Sequence, residues 1–416
     1  MFPAFPVFQQ NCTAMPRIRF VNQYAGIIGG IERYMEQTAQ LLRQNGFTVD
    51  CCYAEKTQDS ERFLSAFDRT EPVSDAVGRD GNEYDLTVLH KVRDAAVVRD
   101  LRNAGRTAVF IHDHEYYCPR HSYYYPVTRK NCSRAYSEFL CGCCAMLRRP
   151  APDNTFHANF GGFASLWREI RLCGEFIVLS EFMRDTLIRQ GIPEERIIRI
   201  PPSVKAPAAP SGPDGNAAGG VPHILAIGQL IRGKGVDQLL AAMRSVKTPC
   251  VLDIVGAGND EAYLKRLAEP LGASVVFHGY SPNPDDAFRG VRATVLPWRW
   301  QEPFGLVGPE ALAHGIPLAG FDVGAIRDYL VDGQTGLLVP PGNTDALAKA
   351  IDRLLNAPEE AAAMGLRGRE LVSSRFTDAA LLNGWRDLLN RPVGAEAGFE
   401  AGKRPPTANH TERSVS

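Results

Sequence analysis

The chain has 416 residues, 44% hydrophobic and 22% charged, with a formal net charge of −1. That length exceeds one ordinary core and favours two or three domains. The balanced charge offers no global field for nucleic acid, so no nucleic-acid partner is expected, and no stretch reaches the roughly 18 apolar residues that span a bilayer.

No signal-peptide pattern opens the chain, which points to a cytoplasmic protein. Residues 1–14 carry little pattern, and either they form a loose tail or Met15 is the true start. From Arg17 the rhythm is strand, Gly-rich turn, helix: a strand over Arg17–Asn22, the turn Gly26–Gly30, and a helix over Ile31–Gln44 stopped by Asn45-Gly46. Strands follow at Thr48–Tyr53, Leu86–His90 and Thr107–His112, with a helix near Asp94–Ala104. Phe176–Leu179 leads into a helix over Glu181–Gln190, for which Ser180 is an N-cap candidate. Such alternation predicts a mainly parallel sheet with helices on both faces.

Residues 201–220 hold almost nothing apolar beyond alanine, valine and proline, and read as a linker. The rhythm then restarts. Strands are expected at His223–Ile227, Cys250–Val255, Val275–His278, Ala293–Leu296, Leu318–Phe321 and Leu337–Val339. Helices are expected at Val236–Met243, around Tyr263–Leu267, and over Asp345–Asn356, Pro358–Arg375 and Thr377–Asn390. The architecture predicted is two doubly wound α/β domains.

The stretch richest in chemistry runs from Glu302 through Pro303-Phe304-Gly305-Leu306 to Glu310 and on to Gly315 and Pro317. Pro309 tolerates only the first turn of a helix, which sets the helix start near Leu306 or Val307. The N–H groups of Gly305 and Leu306 then point out of a helix N-terminus, a place for an anion. Gly305 has no side chain to keep a phosphate off the backbone. Carboxylates flank this point, and each can accept from sugar or ribose hydroxyls. A nucleotide-diphospho-sugar requires that combination. Upstream, Arg232-Gly233-Lys234-Gly235 joins a strand to a helix and puts two cations where a diphosphate would lie.

E-x7-E followed by E-A-L-A-x-G-x-P resembles the signature of the retaining family 4 (group 1) glycosyltransferases of the GT-B superfamily. That resemblance implies two Rossmann-like domains facing across a cleft. It places Glu302 on the donor sugar, Glu310 on the ribose and Lys234 on the diphosphate. The commonest arginine of the G-R-L-x(n)-K-G pattern is Gln229 here, so Arg232 is the substitute expected to bind. Gly29 and Gly30 would lie across the cleft near donor phosphate and acceptor, and His112 resembles the histidine that reaches the reacting sugar. His114 competes with it for that role, and either histidine is explained equally well by hydrogen bonds within a loop. Gly256-Ala257-Gly258 lacks the third glycine of a dinucleotide fingerprint, which removes a redox reading.

Five of the ten cysteines fall within 118–144. Cys118, Cys132, Cys141 and Cys144 form a C-x13-C-x8-C-x2-C set that fits either a structural zinc site or reduced, partly buried thiols. The nearby Tyr116, Tyr117, Tyr123, Tyr124 and Tyr125 either stack on an acceptor sugar or pack the insert. Phe160, Phe163, Leu166, Trp167 and Ile170 lie at helical spacing, facing the core or a membrane surface.

The expected organisation is a tail (1–14), an acceptor-side Rossmann-like domain (15–200) with the Cys-rich insert (113–150), and the linker (201–220). A nucleotide-sugar-binding domain (221–375), a C-terminal helix (376–391) and a disordered tail (392–416) follow. The expected activity is transfer from a nucleotide-sugar to a glycan or lipid-linked acceptor, for cell-surface polysaccharide, with no cofactor at the reaction centre. Peripheral contact with the inner membrane face would come through the acceptor. The alternatives are a non-catalytic nucleotide-sugar-binding subunit, or a phosphorylase or epimerase on the same fold.

Overall fold

The computed structural model describes residues 15–392 apart from 80, 126–127, 129, 147–159, 208–219 and 282. The two expected tails and most of the expected linker lie outside the described residues. In chain order the first half holds β1 (Arg17–Ala25), α1 (Gly30–Gln44), β2 (Thr48–Lys56), α2 (Ser60–Leu64), β3 (Thr70–Pro72), α3 (Val73–Ala76), β4 (Leu86–Lys91) and α4 (Ala95–Ala104). It continues with β5 (Thr107–Phe110), α5 (Glu138–Met146), α6 (Phe160–Arg171), β6 (Glu175–Val178), α7 (Glu181–Arg189) and β7 (Ile197–Arg199). The second half holds β8 (His223–Ile227), α8 (Val236–Met243), β9 (Val251–Val255), α9 (Glu261–Ala268), β10 (Val275–Gly279), β11 (Val291–Leu296) and α10 (Val307–Ala313). It ends with β12 (Leu318–Phe321), β13 (Gly336–Val339), α11 (Thr344–Asn356), α12 (Pro358–Arg375) and α13 (Asp378–Asn390).

Two sheets result. Seven strands pair in the order β3-β2-β1-β4-β5-β6-β7 and six in the order β10-β9-β8-β11-β12-β13. Every pairing is parallel. In each sheet the order turns beside the first strand, so a crevice opens at the C-terminal strand ends between β1 and β4, and between β8 and β11. Ligands of open α/β sheets bind in such crevices.

One apolar cluster holds residues of both sheets together, from Ile18 and Phe20 of β1 to Leu225 of β8 and Leu312 of α10. Helix α13 belongs to the first sheet although it ends the described chain. Its Trp385 is fully buried with the ring 5.6 Å from Phe20. Arg106, just before β5, donates to the carbonyls of Leu388 (2.7 Å) and Leu389 (3.1 Å) at the end of α13.

The α7 N-terminus ties the halves together. Ser180 Oγ accepts from the Met183 N–H at 3.1 Å as an N-cap and donates to the Pro303 carbonyl at 2.5 Å. One hydroxyl therefore does two jobs. Ser180→Ala is expected to cost about 1–2 kcal/mol, through the lost cap and the cross-domain bond. Urea denaturation measures it, and an unchanged midpoint would mean that neither bond contributes.

Two sequence-based expectations change, and one open alternative is decided. Strand β5 ends at Phe110, with the Ile111 N–H still donating to the Ile177 carbonyl at 2.9 Å, so His112 stands in the following loop. Short β3, β7, α2 and α3 were not predicted, since three to five residues leave no period to read. Helix α6 turns inward at Leu166, Trp167 and Ile170, which are buried, with Trp167 edge-on to Tyr117 at 5.7 Å, so these three take the core side of the alternative.

Candidate active site

The loop after β11 and the loop after β8 meet at the second crevice. Gly235 is left-handed (φ 68°), and a Cβ there would lie 1.8 Å from the Pro297 carbonyl oxygen. The β8 loop is thereby pressed onto the segment that leads to Glu302. From the other side Gly324 closes on the backbone of Glu302, leaving only 2.5 Å for a Cβ, and the Ala325 N–H donates to the Glu302 carbonyl at 2.9 Å. These approaches set Lys234 against Glu302, with Nζ 2.8 Å from Oε1 and both side chains mostly shielded. The Lys234 ammonium also stands 5.6 Å from the Trp298 ring centroid. Two residues far apart in sequence thus share one point of charge at the crevice.

Helix α10 begins at Val307 with Leu306 as its N-cap. Gly305 is left-handed (φ 78°), and the space its Cβ would need is filled by the Trp298 ring, 2.1 Å away. Close packing against an indole therefore explains this glycine, where the sequence suggested room for a phosphate. Glu310 follows in the first turn of α10. Burial, and after it the charge of Asp285, pushes its carboxyl up to about 7, against the pull of Arg33. Arg33 lies on α1 of the other domain and donates to Tyr280 Oη at 2.9 Å. Glu310, Asp285, Arg33 and Tyr280 therefore gather where the two domains approach.

Arg232 is placed differently from its predicted role. Its guanidinium lies 3.4 Å from Asp237 and 3.3 Å from Asp260, and stacks over Tyr263 at 4.3 Å. Those carboxylates and the ring already engage its charge. Lys234 instead faces Glu302 in the crevice.

On the other domain, Gly29 caps α1 in an extended conformation, with its N–H donating to the buried Glu32 carboxylate at 3.0 Å. A Cβ on Gly30 would meet nothing within 4 Å, so this turn faces open space. His112 Nε2 lies 2.8 Å from His90 Nδ1, and its ring stacks on Phe110 at 4.2 Å. One ring must donate and the other accept, which excludes both being protonated. Burial takes His90 down to about 3, and burial with His90 and Lys91 beside it holds His112 well below the ordinary imidazole range. Both causes favour the neutral ring at His112.

His114 serves the architecture. Its Nε2 lies 2.8 Å from the Gln301 carbonyl, which can only accept, so Nε2 carries the proton and Nδ1 accepts from Tyr117 Oη at 2.6 Å. Burial lowers its pKa accordingly. Gln301 returns the contact, as Nε2 donates to the carbonyls of Tyr123 (2.9 Å) and Cys132 (2.8 Å). The Cys-rich insert therefore grips the residue before Glu302. Tyr116, Tyr117 and Tyr123 are buried and pack the insert, so they offer no sugar platform. Sequence reading missed His90, Arg33, Tyr280, Asp285 and Gln301. Only Arg33 carried a signal, one turn into the helix that follows the glycine pair.

Residues 213–371 match the family model described as "Glycosyl transferases group 1". The GDP-mannose-dependent alpha-(1-6)-phosphatidylinositol monomannoside mannosyltransferase of Mycolicibacterium smegmatis is 29% identical over 211 residues, 46% of this chain and 55% of that one. Alpha-maltose-1-phosphate synthase of the same organism is 30% identical over 252 residues, 52% of this chain and 64% of that one. The chain thus spans less than two thirds of either relative. The solved structure of Anabaena HepE in complex with UDP is 16% identical with a TM-score of 0.68, covering 90% of this chain and 99% of that chain. The lipopolysaccharide outer core galactosyltransferase WaaB (apo form) gives 0.65 at 15% identity, over 89% and 98%. The fold is GT-B.

Proposed function

We propose that the chain, whose residues 213–371 match the model of the group 1 glycosyltransferases, belongs to that family and moves a sugar from a nucleotide-diphosphate donor to a glycan or lipid-linked acceptor. The observation that carries this reading is the Lys234–Glu302 pair, closed at 2.8 Å in the β8/β11 crevice. A diphosphate entering there takes over the ammonium, and Glu302 is released to hydroxyls of the donor sugar. Glu310 accepts from the ribose, and Tyr280, 66% exposed beside Arg33, supplies an aromatic edge at the same mouth. The Gly305 and Leu306 amides stand next to this path at the start of α10.

The acceptor enters from the first domain, past Gly30 and the neutral His112. A neutral imidazole hydrogen-bonds to sugar without adding charge. As the domains close, water is excluded and the charge that develops on the leaving diphosphate meets Lys234 in a drier site, where such stabilisation counts most. The reaction is proposed to retain anomeric configuration and to serve cell-surface polysaccharide. It would run in the cytoplasm, with any membrane contact made through the acceptor. Among the described residues no helix is long and apolar enough to cross a membrane.

A thermal-shift panel of UDP-, GDP-, ADP- and dTDP-sugars tests the reading. Selective binding stabilises by about 2.7 kcal/mol at a hundredfold excess over Kd. One nucleotide class should shift wild type clearly and Glu310→Ala weakly. A well-folded sample that responds to none of them would overturn it.

A further inference from the structure

The cysteine insert has a chemistry that sugar transfer does not use. Cys118, Cys132, Cys141 and Cys144 line a single cavity, together with Arg120 and Arg134. Cys143, between the last two, is exposed. Local structure explains the selection. Cys141 and Cys144 stand three residues apart on α5, hence on one face of that helix. Cys118 closes the turn after β5, with its N–H on the His114 carbonyl at 2.8 Å, and the Cys132 N–H is held by the Tyr123 carbonyl at 2.8 Å. The fold thus places four cysteines of a widely spaced set around one space.

An N–H donor and two guanidinium side chains stand around that space. The Ser137 N–H points to Cys141 Sγ at 3.5 Å. Arg120 Nε is buried with no acceptor of its own. N–H donors and cations beside sulfur complement the charge of a metal-bound thiolate. His121 (φ 60°) and Tyr123 (φ 48°) hold left-handed backbone within the same turn, although neither is glycine. Strain of that kind persists only where its surroundings impose it.

We infer that Cys118, Cys132, Cys141 and Cys144 are the ligands of a structural zinc ion in this insert. Four thiolates with no open position make a closed tetrahedral site, the geometry of structural zinc. Binding exchanges four thiol protons, released to solvent, for four Zn–S bonds. The site then carries a net charge of two minus, which Arg120 and Arg134 offset from the cavity wall. As the side chains lie, no three His, Cys, Asp or Glu groups among the described residues converge on one point. Ligation therefore includes rotation of the cysteine side chains into the cavity. The consequence reaches the crevice, because Cys132 offers its own carbonyl to Gln301, the neighbour of Glu302. The ion fixes the insert that holds this loop.

The test is elemental analysis of the full-length protein, expressed with zinc and purified without chelator. Wild type and Cys143→Ser should both carry about one zinc per chain, while Cys118→Ser and Cys132→Ser should carry at least about tenfold less. Should those variants fail to fold, wild type alone decides: mercurial titration should release zinc as the four thiols are consumed, followed with a chromogenic chelator. Cobalt in place of zinc should give the visible bands of a tetrahedral thiolate site. Folded wild type without metal would overturn the inference. So would iron with visible absorption, a disulfide found among these cysteines, or zinc retained in both ligand variants. None of these readings depends on nucleotide binding, so the metal and the transferase reading fail or stand separately.

Discussion

Lys234→Ala is expected to lower kcat/KM by about 10²–10³, roughly 3–4 kcal/mol of transition-state stabilisation. Charge grows on the leaving diphosphate during transfer, and Lys234 is the cation that the two loops press into the β8/β11 crevice. Arg232 does not replace it, because Asp237, Asp260 and Tyr263 already engage that guanidinium. Folding should change far less. Lys234 and Glu302 form a mostly shielded but not fully buried pair, and such pairs contribute modestly. Release of nucleoside diphosphate from the preferred donor measures the first effect and a thermal melt the second. Turnover close to wild type would make Lys234 a turn residue and remove it from the mechanism.

The second large effect has opposite signs for stability and binding. The Glu310 carboxyl is pushed up from 4.5 to about 7, chiefly by burial and next by Asp285. Below pH about 4.5 both folded and unfolded chains hold this proton, and the group contributes nothing. Between 4.5 and 7 the unfolded chain has lost the proton that the folded chain keeps, so stability falls as pH rises. Above 7 the full penalty applies, up to about 3 kcal/mol. Glu310→Gln cannot ionise and should melt higher than wild type, with a gain that grows through that window and levels off above it. The same substitution should weaken donor binding, since an ionised carboxylate accepts from two ribose hydroxyls and an amide offers one acceptor. Wild-type affinity for donor should itself rise with pH up to about 7, because the bound diol favours the charged form. Equal melting points at pH 8 would contradict the buried carboxyl, and unchanged donor affinity would contradict its place on the ribose.

The fold was largely legible because its signals are local. Helix α12 from Pro358 to Arg375 and strand β8 from His223 to Ile227 appear where proline, glycine and apolar runs place them. The start of α10 followed from one proline. What stayed hidden depends on distant residues. Nothing around Trp385 says that α13 will cover Phe20, more than three hundred residues earlier. The glycine at 305 reads as open backbone until Trp298 is found in the space beside it. Arg232 and Lys234 look equivalent in sequence, yet Asp237, Asp260 and Tyr263 draw one away while Glu302 faces the other. His112 and His114 likewise separate only in three dimensions, where His90 pairs with the first and Gln301 with the second.

Hydrogen–deuterium exchange with and without the nucleoside diphosphate of the preferred donor tests the central claim most directly. Protection should appear in residues 228–235 and 302–310, and on closure at the start of α1 around Gly30 and Arg33. Protection confined to other regions, or none at saturating ligand for any of the four nucleotides, would contradict a donor site built on Lys234, Glu302 and Glu310.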